Sequence, residues 1–587
     1  HLRYKAATKM ADQIIKPPPP KYLSFSAILV LAANTMNGPG ITTLPTVAAD
    51  AGRVLYVTLI SISVMMAAFV CRRMVYSMWS SVDEEVVVVQ TDEDYSSMKK
   101  VEGGTVQHLQ HLSMDDASTN EEVIPEAASE SQLTHREHDH HEHTHQELNN
   151  TRQPLPSDHA ECESLLPHTD HEENNKNILV KDHDKSRPVL ERTSIVGQSR
   201  EAYGQKASIY TSFLMVASAL CLGLAQMMLC AAILDGMFVA IAGQSCALGL
   251  PSSDHESFIY CTTHPSMKPY MGSGAPVSLI SIGWVIAASA SVAMGSVDLD
   301  EMMIVQYFLF ACLVISAMRF SSVLKGMADG LDGGNGEGDA LQSESSVNWF
   351  VGPNPFQCIG PIMFNFAFIV TSPPSVCLAK KEHIAYKALG MSCIVMGTLY
   401  TMVGMSGASV SNAVSSGMIK GGDDTNLLSL ILLSGSGGGP SMLDLGMIGL
   451  FGFSTVASVP VYCLLAKETL IYDAGVAPNP SFLLSNVLPW ILVALTYNAS
   501  FFEAFVNWSG LLILGYSNFS VPLLFDLKLK KVRSGNAVTK NTLTNDDQTT
   551  MVTNTVFIVV TASITAVIVM SIVDSLVLAG LSFVSIV

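Results

Sequence analysis

The segment from Ser24 to Asp50 constrains this chain most. It is apolar over a length that would cross a bilayer, yet Asn37-Gly38-Pro39-Gly40 and Pro45 interrupt it. In hydrocarbon an unpaired backbone amide or carbonyl is costly. Irregular backbone at membrane depth therefore survives only where protein or a water-filled cavity supplies partners. A broken spanning helix implies a surrounding bundle and a polar site at the break, and such breaks point to the substrate site in secondary transporters.

The remainder fits a membrane body. Only 14% of the residues are charged and 49% are hydrophobic, against roughly 25% charged in ordinary soluble domains. Apolar runs of about 20 residues recur, placing spans at 24–48 (broken), 53–77, 208–244, 276–295, 301–320, 350–374, 385–409, 441–465, 484–500, 503–525 and 553–579. This predicts an all-α polytopic membrane protein with about 11 transmembrane helices. No A-x-A-like cleavage site ends the first apolar segment, which is read as a retained signal anchor. Basic residues fix the orientation. With the N-terminus inside, Arg72, Arg73, Lys380, Lys381, Lys467, Lys528, Lys530 and Lys531 all fall in the cytosol.

The expected organisation is a cytosolic tail (1–23), two spans (24–78), a cytosolic loop (79–207), eight spans (208–525), a basic cytosolic loop (526–552), and a last span with the C-terminus (553–587). The 79–207 loop carries 27 of the 51 acidic residues and 12 of the 16 histidines. It has too little apolar surface to offset ordering entropy and is expected to be disordered. Its His135–His145 run reads as a solvated stretch or a weak metal binder. Glu161-Cys-Glu-Ser-Leu165-Leu166 fits an acidic dileucine sorting pattern, an adaptor contact that would suit a vacuolar or lysosomal membrane, the plasma membrane being the alternative.

The break carries the chemistry. Freeing backbone at Gly38-Pro39-Gly40 aims the positive end of the second half-helix at an anion such as a carboxylate. Carbonyls of the first half suit a cation. An α-amino acid presents both groups. Span six repeats the signal with Gly360-Pro361, then Asn365 and Thr371, then Ser372-Pro373-Pro374.

These residues resemble the amino acid/auxin permease family, whose domain is the amino acid transporter transmembrane domain. The resemblance runs over Asn34-Thr-Met-Asn-Gly38-Pro39-Gly40-Ile41-Thr-Thr-Leu44-Pro45, Phe364-Asn-Phe366-Ala-Phe368, Tyr400 to Ala408, Ser458-Val-Pro460-Val-Tyr462 and Pro522-Leu-Leu-Phe525. It implies a LeuT-like 5+5 inverted repeat with broken helices 1 and 6. The implied activity is secondary active amino-acid transport by symport with H+ or Na+. Asn37, Gly38, Pro39, Gly40 and Ile41 would then line the substrate carboxylate site, with Phe364, Asn365, Phe366 and Phe368 on the other wall. If Na+ is the coupling ion, the resemblance places it between spans one and eight, with Ser454, Thr455 and Ser458 as hydroxyl ligands; helix packing is the competing reading of these three.

Asp235 lies about 40 Å along the third span at about 1.5 Å per residue, which puts it at the outer surface, proton coupling being the alternative. Cys246 and Cys261 share one predicted non-cytosolic loop where a disulfide could form. No cofactor, resident metal or nucleic-acid partner is implied. No enzyme motif occurs in the membrane body. A metal carrier would need ligands inside its spans, and these contain no histidine. A sensor that binds an amino acid and signals through 79–207 is the remaining alternative.

Overall fold

The computed structural model describes residues 22–101, 194–249, 258–263, 279–295, 299–332, 349–356, 358–416, 426–434, 440–497, 499–536 and 550–570. The chain divides into two compact units, one of residues 1–88 with 187–587 and one of 89–186. Of the second, only the helical residues 89–101 are described. The His-rich run and the dileucine pattern fall outside the described residues.

Among these residues are eight helices long and apolar enough to cross a membrane and three shorter apolar ones. The chain is an integral, multi-pass membrane protein. Its first segment folds as α1 (Phe25–Met36), a 3-10 turn (Pro39–Thr43) and α2 (Leu44–Ala51). The Ser24 hydroxyl caps α1 by accepting from the Ala27 N–H. Pro39 has no N–H and holds Gly38 extended, at φ −87° and ψ 169°, so α1 cannot continue through it. Gly52, at φ +84°, turns the chain into α3 (Arg53–Val101) in a conformation that disfavours other residues. This helix runs past the expected span into the start of the acidic loop. The end of that loop also forms a helix, α4 (Ile195–Tyr203).

α5 (Gln205–Ala242) is 38 residues long, about 57 Å at the α-helical rise and well over the hydrocarbon thickness. It ends at Gly243 in the left-handed region. Beyond it lies a feature the sequence did not disclose, a three-stranded antiparallel sheet of β1 (Ser245–Gly249), β2 (Ile259–Thr262) and β3 (Leu279–Ser281) in the order β2-β1-β3. Cys246 and Cys261 face each other in the β1–β2 register and form a disulfide.

The remaining helices are α6 (Ile282–Met294), α7 (Leu299–Asp332), α8 (Ile359–Asn365), α9 (Pro373–Cys377), α10 (Glu382–Ser415), α11 (Leu427–Leu433), α12 (Met442–Glu468), α13 (Pro478–Phe482), α14 (Leu488–Thr496), α15 (Ala499–Ser509) and α16 (Val521–Asn536), then α17 (Thr550–Met570). Span six is broken, but not at Gly360-Pro361, which lie in the first turn of α8: α8 ends at Asn365, a 3-10 turn covers Ile369–Thr371, and α9 follows from Pro373. Wide π turns join α15 to α16 at Gly510–Leu514 and Tyr516–Ser520.

α12 and α5 form the centre. In its most apolar stretch α12 is 72% buried, whereas α17 is only 22% buried. α12 packs on α5 and α7, and α10 packs on α1 and α2. Small residues permit these approaches. A Cβ on Gly407 of α10 would lie 2.7 Å from Pro45, and one on Gly452 of α12 would lie 2.6 Å from Ile233. Exposed residues such as Met65 (64%) and Ile304 (82%) form the lipid-facing surface.

Candidate functional site

The α1 break frees the carbonyls of Thr35, Met36 and Asn37. Each is taken by a side-chain donor from a different helix. The Tyr462 hydroxyl of α12 donates to Thr35 O at 2.5 Å. The Tyr400 hydroxyl of α10 donates to Met36 O. Gln226 Nε2 of α5 donates to Asn37 O at 3.1 Å. Tyr56 braces this arrangement by donating to Tyr400 O at 2.7 Å. One turn earlier, Asn34 Nδ2 donates to the backbone and side-chain oxygens of Gln306 on α7, at 2.8 and 2.7 Å. Buried carbonyls need such partners, and here those of the α1 break come from three helices, α5, α10 and α12.

The second wall is the end of α8. Asn365 is 1% exposed, and neither of its amide atoms has a hydrogen-bond partner. It lies against the 3-10 turn: a Cβ on Gly40 would sit 2.7 Å from both Asn365 Cγ and Nδ2. A Cβ on Gly38 would sit 3.6 Å from Asn365 Oδ1 and 3.7 Å from Phe364 Cδ1. The structure thus brings together Asn37, Gly38, Gly40, Phe364 and Asn365. Pro39 opens the 3-10 turn, and the Ile41 amide bonds Gly38 O at 3.2 Å. Phe366 is turned to the edge of the Tyr400 ring, 5.6 Å between centroids. Phe368 is fully buried one turn on, its carbonyl accepting from Thr371. The frayed backbone beyond it is held by Asn518, whose Oδ1 accepts from the Val370 amide at 3.0 Å.

The three hydroxyls expected at an ion site point back into α12. Ser454 and Thr455 donate to Phe451 O at 2.7 and 2.8 Å, and Ser458 donates to Thr455 O at 2.7 Å. Ser454 also accepts from Asn37 Nδ2 at 3.3 Å, and Ser458 accepts from Gln226 Nε2 at 2.8 Å. With their amide nitrogens so engaged, Asn37 Oδ1 and Gln226 Oε1 remain without partners, and both are buried.

Gln226 is the site residue that sequence reasoning missed. Its signal was one amide inside the apolar run from Leu222 to Ile233. Tyr400 and Tyr462 stood in the family-like motifs, but their role as carbonyl donors did not.

Asp235 lies near the end of α5, beside the sheet. It is fully buried beneath the sheet. Its carboxylate accepts from Ser245 Oγ at 3.2 Å, the Gly283 amide at 2.9 Å and the Tyr497 hydroxyl at 3.0 Å.

Among the described residues, two ion pairs tie other helices. Arg73 of α3 donates through Nε and an Nη to Asp526 Oδ2 of α16, at 2.9 and 2.6 Å. Arg319 of α7 meets Asp444 of α12 at 2.8 Å. A mostly apolar cavity of about 160 Å³ lies at the far end of α12 from Asp444, lined among others by Met215, Val370, Pro374, Leu465, Glu468 and Tyr472.

No family model and no curated protein matches the chain. The chemistry of the site therefore rests on its geometry. Nothing in this cluster carries a formal charge: it offers amides, hydroxyls, a glycine-lined helix turn and aromatic edges. Such a site favours a small ligand whose own charges balance.

Proposed function

We propose that this protein is a secondary active transporter of small neutral α-amino acids, working by alternating access around the α1 and α8 breaks. The observation that carries this reading is the Asn365 amide, buried and unpartnered against Gly40. A buried polar group without a partner is destabilising, so its persistence at a helix break fits a group kept for a ligand. The adjoining 3-10 turn and α2 present backbone donors suited to a carboxylate. Asn37 Oδ1 and Gln226 Oε1 are acceptors suited to an ammonium.

The eight long and three shorter apolar helices support eleven crossings. The paired breaks of the first and sixth support a LeuT-like 5+5 repeat and membership of the amino acid/auxin permease family. H+ or Na+ symport across a plasma or vacuolar-type membrane belongs to the same proposal. The apolar cavity between α5 and the end of α12 is then an inner vestibule.

The test is uptake by the purified chain in liposomes, with a mixture of labelled amino acids and imposed H+ or Na+ gradients. Gradient-driven accumulation of one neutral amino acid is the expected result. Absence of uptake by folded, oriented protein would refute the reading.

A further inference from the structure

Three oxygens converge on a single point between α1 and α12. They are Asn37 O at the frayed end of α1, Thr455 O and Ser458 Oγ. Gln226 Nε2 occupies that point, at 3.1, 3.2 and 2.8 Å respectively. A carbonyl freed at a helix break, completed by oxygens of a neighbouring helix, is a donor set suited to a hard monovalent cation in membrane carriers; Asn37 O is the freed carbonyl, while Thr455 O and Ser458 Oγ lie within the continuous α12. Here a side chain of the protein itself stands in their midst.

Hydrogen accounting fixes which amide atom this is. Ser458 Oγ spends its own hydrogen on Thr455 O, so towards Gln226 it can only accept. The other two atoms are carbonyl oxygens and also only accept. Reversing the amide would set Oε1 against three acceptors, so the nitrogen must face them. The other freed carbonyls are closed in the same way. Thr35 O takes the Tyr462 hydroxyl. Met36 O takes both the Tyr400 hydroxyl and the Gly38 amide. Every carbonyl released by the break is thus served by a neutral donor covalently attached to the bundle.

We propose that Gln226 is a tethered stand-in for a coupling cation, holding α1 to α12 so that transport by this protein is independent of Na+. This rests on the transport reading for its second half only; the first half, closure of the oxygen cluster to cations, stands apart from it. A cation would reach these oxygens only by displacing the amide, leaving both its polar atoms buried and unpaired. The amide does its work without a bound ion and adds no charge. It gives the end of α1 and the middle of α12 one shared partner on α5.

The experiment uses the full chain, purified and compared in NaCl, KCl and choline chloride at equal ionic strength. Thermal unfolding is read first, then uptake in liposomes. Wild-type protein is expected to unfold at the same temperature and to transport at the same rate in all three media. Gln226→Ala is expected to unfold earlier in choline chloride and to regain stability in NaCl, because the three oxygens then face a space a cation can fill. Should that variant fail to fold, Gln226→Glu supplies the second test. Its carboxylate faces three acceptors and should make stability depend on a small monovalent cation.

Specific stabilisation of the wild type by NaCl, or saturable binding of radiolabelled Na+ to it, overturns the inference. So does a folded Gln226→Ala or Gln226→Glu variant as indifferent to cations as the wild type. Lack of uptake in every medium, with these stability results as expected, overturns the transport reading and leaves the closure of the oxygen cluster standing.

Discussion

Asn365 packs so closely on Gly40 that a Cβ at position 40 would lie 2.7 Å from its Cγ, yet its amide bonds to nothing. Contact without hydrogen bonding is a poor arrangement for stability and a good one for a binding group. The two properties separate in a substitution. Asn365→Leu keeps the volume and removes a buried unpaired amide, whose burial costs about 1–3 kcal/mol. The expected outcome is an unchanged or raised Tm together with loss of amino-acid uptake. A clear fall in Tm would assign Asn365 a structural role instead.

Gly40→Ala probes the same contact from the other side. The added methyl overlaps the Asn365 side chain, and overpacking of a close-fitting core costs about 1–3 kcal/mol. Pairing it with Asn365→Ala makes room for the methyl. Thermal unfolding should show the single variant destabilised and the double variant recovered, by more than additivity allows for independent sites. Uptake should stay low in both, since each lacks either the open turn or the amide.

How far the sequence discloses these features follows from the physics of each. The α1 break is legible because proline removes an N–H and fixes φ wherever it stands, and Gly38-Pro39-Gly40 announces itself; the break of span six is not marked by Gly360-Pro361, which opens α8, but falls after Asn365, before Pro373 starts α9. Asn365 is legible as a polar residue between aromatics. Gln226 is not singled out, because what matters is the convergence of Asn37 O, Thr455 O and Ser458 Oγ, backbone and side-chain atoms from positions far apart in the chain. The sheet at 245–281 is hidden by strands of five, four and three residues, too short for a period to show. That same sheet covers Asp235, a burial that residue counting along α5 does not reveal.

The Arg73–Asp526 pair should behave as a buried one, since the side chains are only 11% and 2% exposed. Desolvation offsets much of the attraction in such pairs, and the large cost appears when one partner is removed alone, roughly 3–5 kcal/mol. Arg73→Met leaves Asp526 with Lys530 at 3.7 Å, a longer contact. Arg73→Met should therefore lower Tm more than the double variant Arg73→Met/Asp526→Leu does. A double variant at least as unstable as the single would show that the pair itself, and not the stranded charge, supplies the stability.

Asp235 offers a choice between a proton carrier and a clamp, and its hydrogen bonds favour the clamp. Oδ1 accepts from Gly283 N and Ser245 Oγ, and Oδ2 accepts from the Tyr497 hydroxyl. Gly283 is in the first turn of α6, so the carboxylate sits at the positive end of that helix while also holding β1 and the end of α14. A Cβ on Gly283 would lie 2.7 Å from Asp235 Oδ1, which shows how closely α6 is drawn onto α5. Asp235→Asn keeps Oδ1 for the Gly283 amide and the Ser245 hydroxyl, and the Tyr497 hydroxyl can turn to accept from the new amide. Asp235→Ala removes the acceptor shared by the Gly283 amide and the Ser245, Ser281 and Tyr497 hydroxyls, at about 1–3 kcal/mol for each that finds no other partner. Uptake driven by an imposed pH gradient should therefore survive in Asp235→Asn with a small fall in Tm, and folded protein should be scarce for Asp235→Ala. Full stability of Asp235→Asn with loss of proton-driven accumulation would reverse the assignment and make Asp235 the proton carrier.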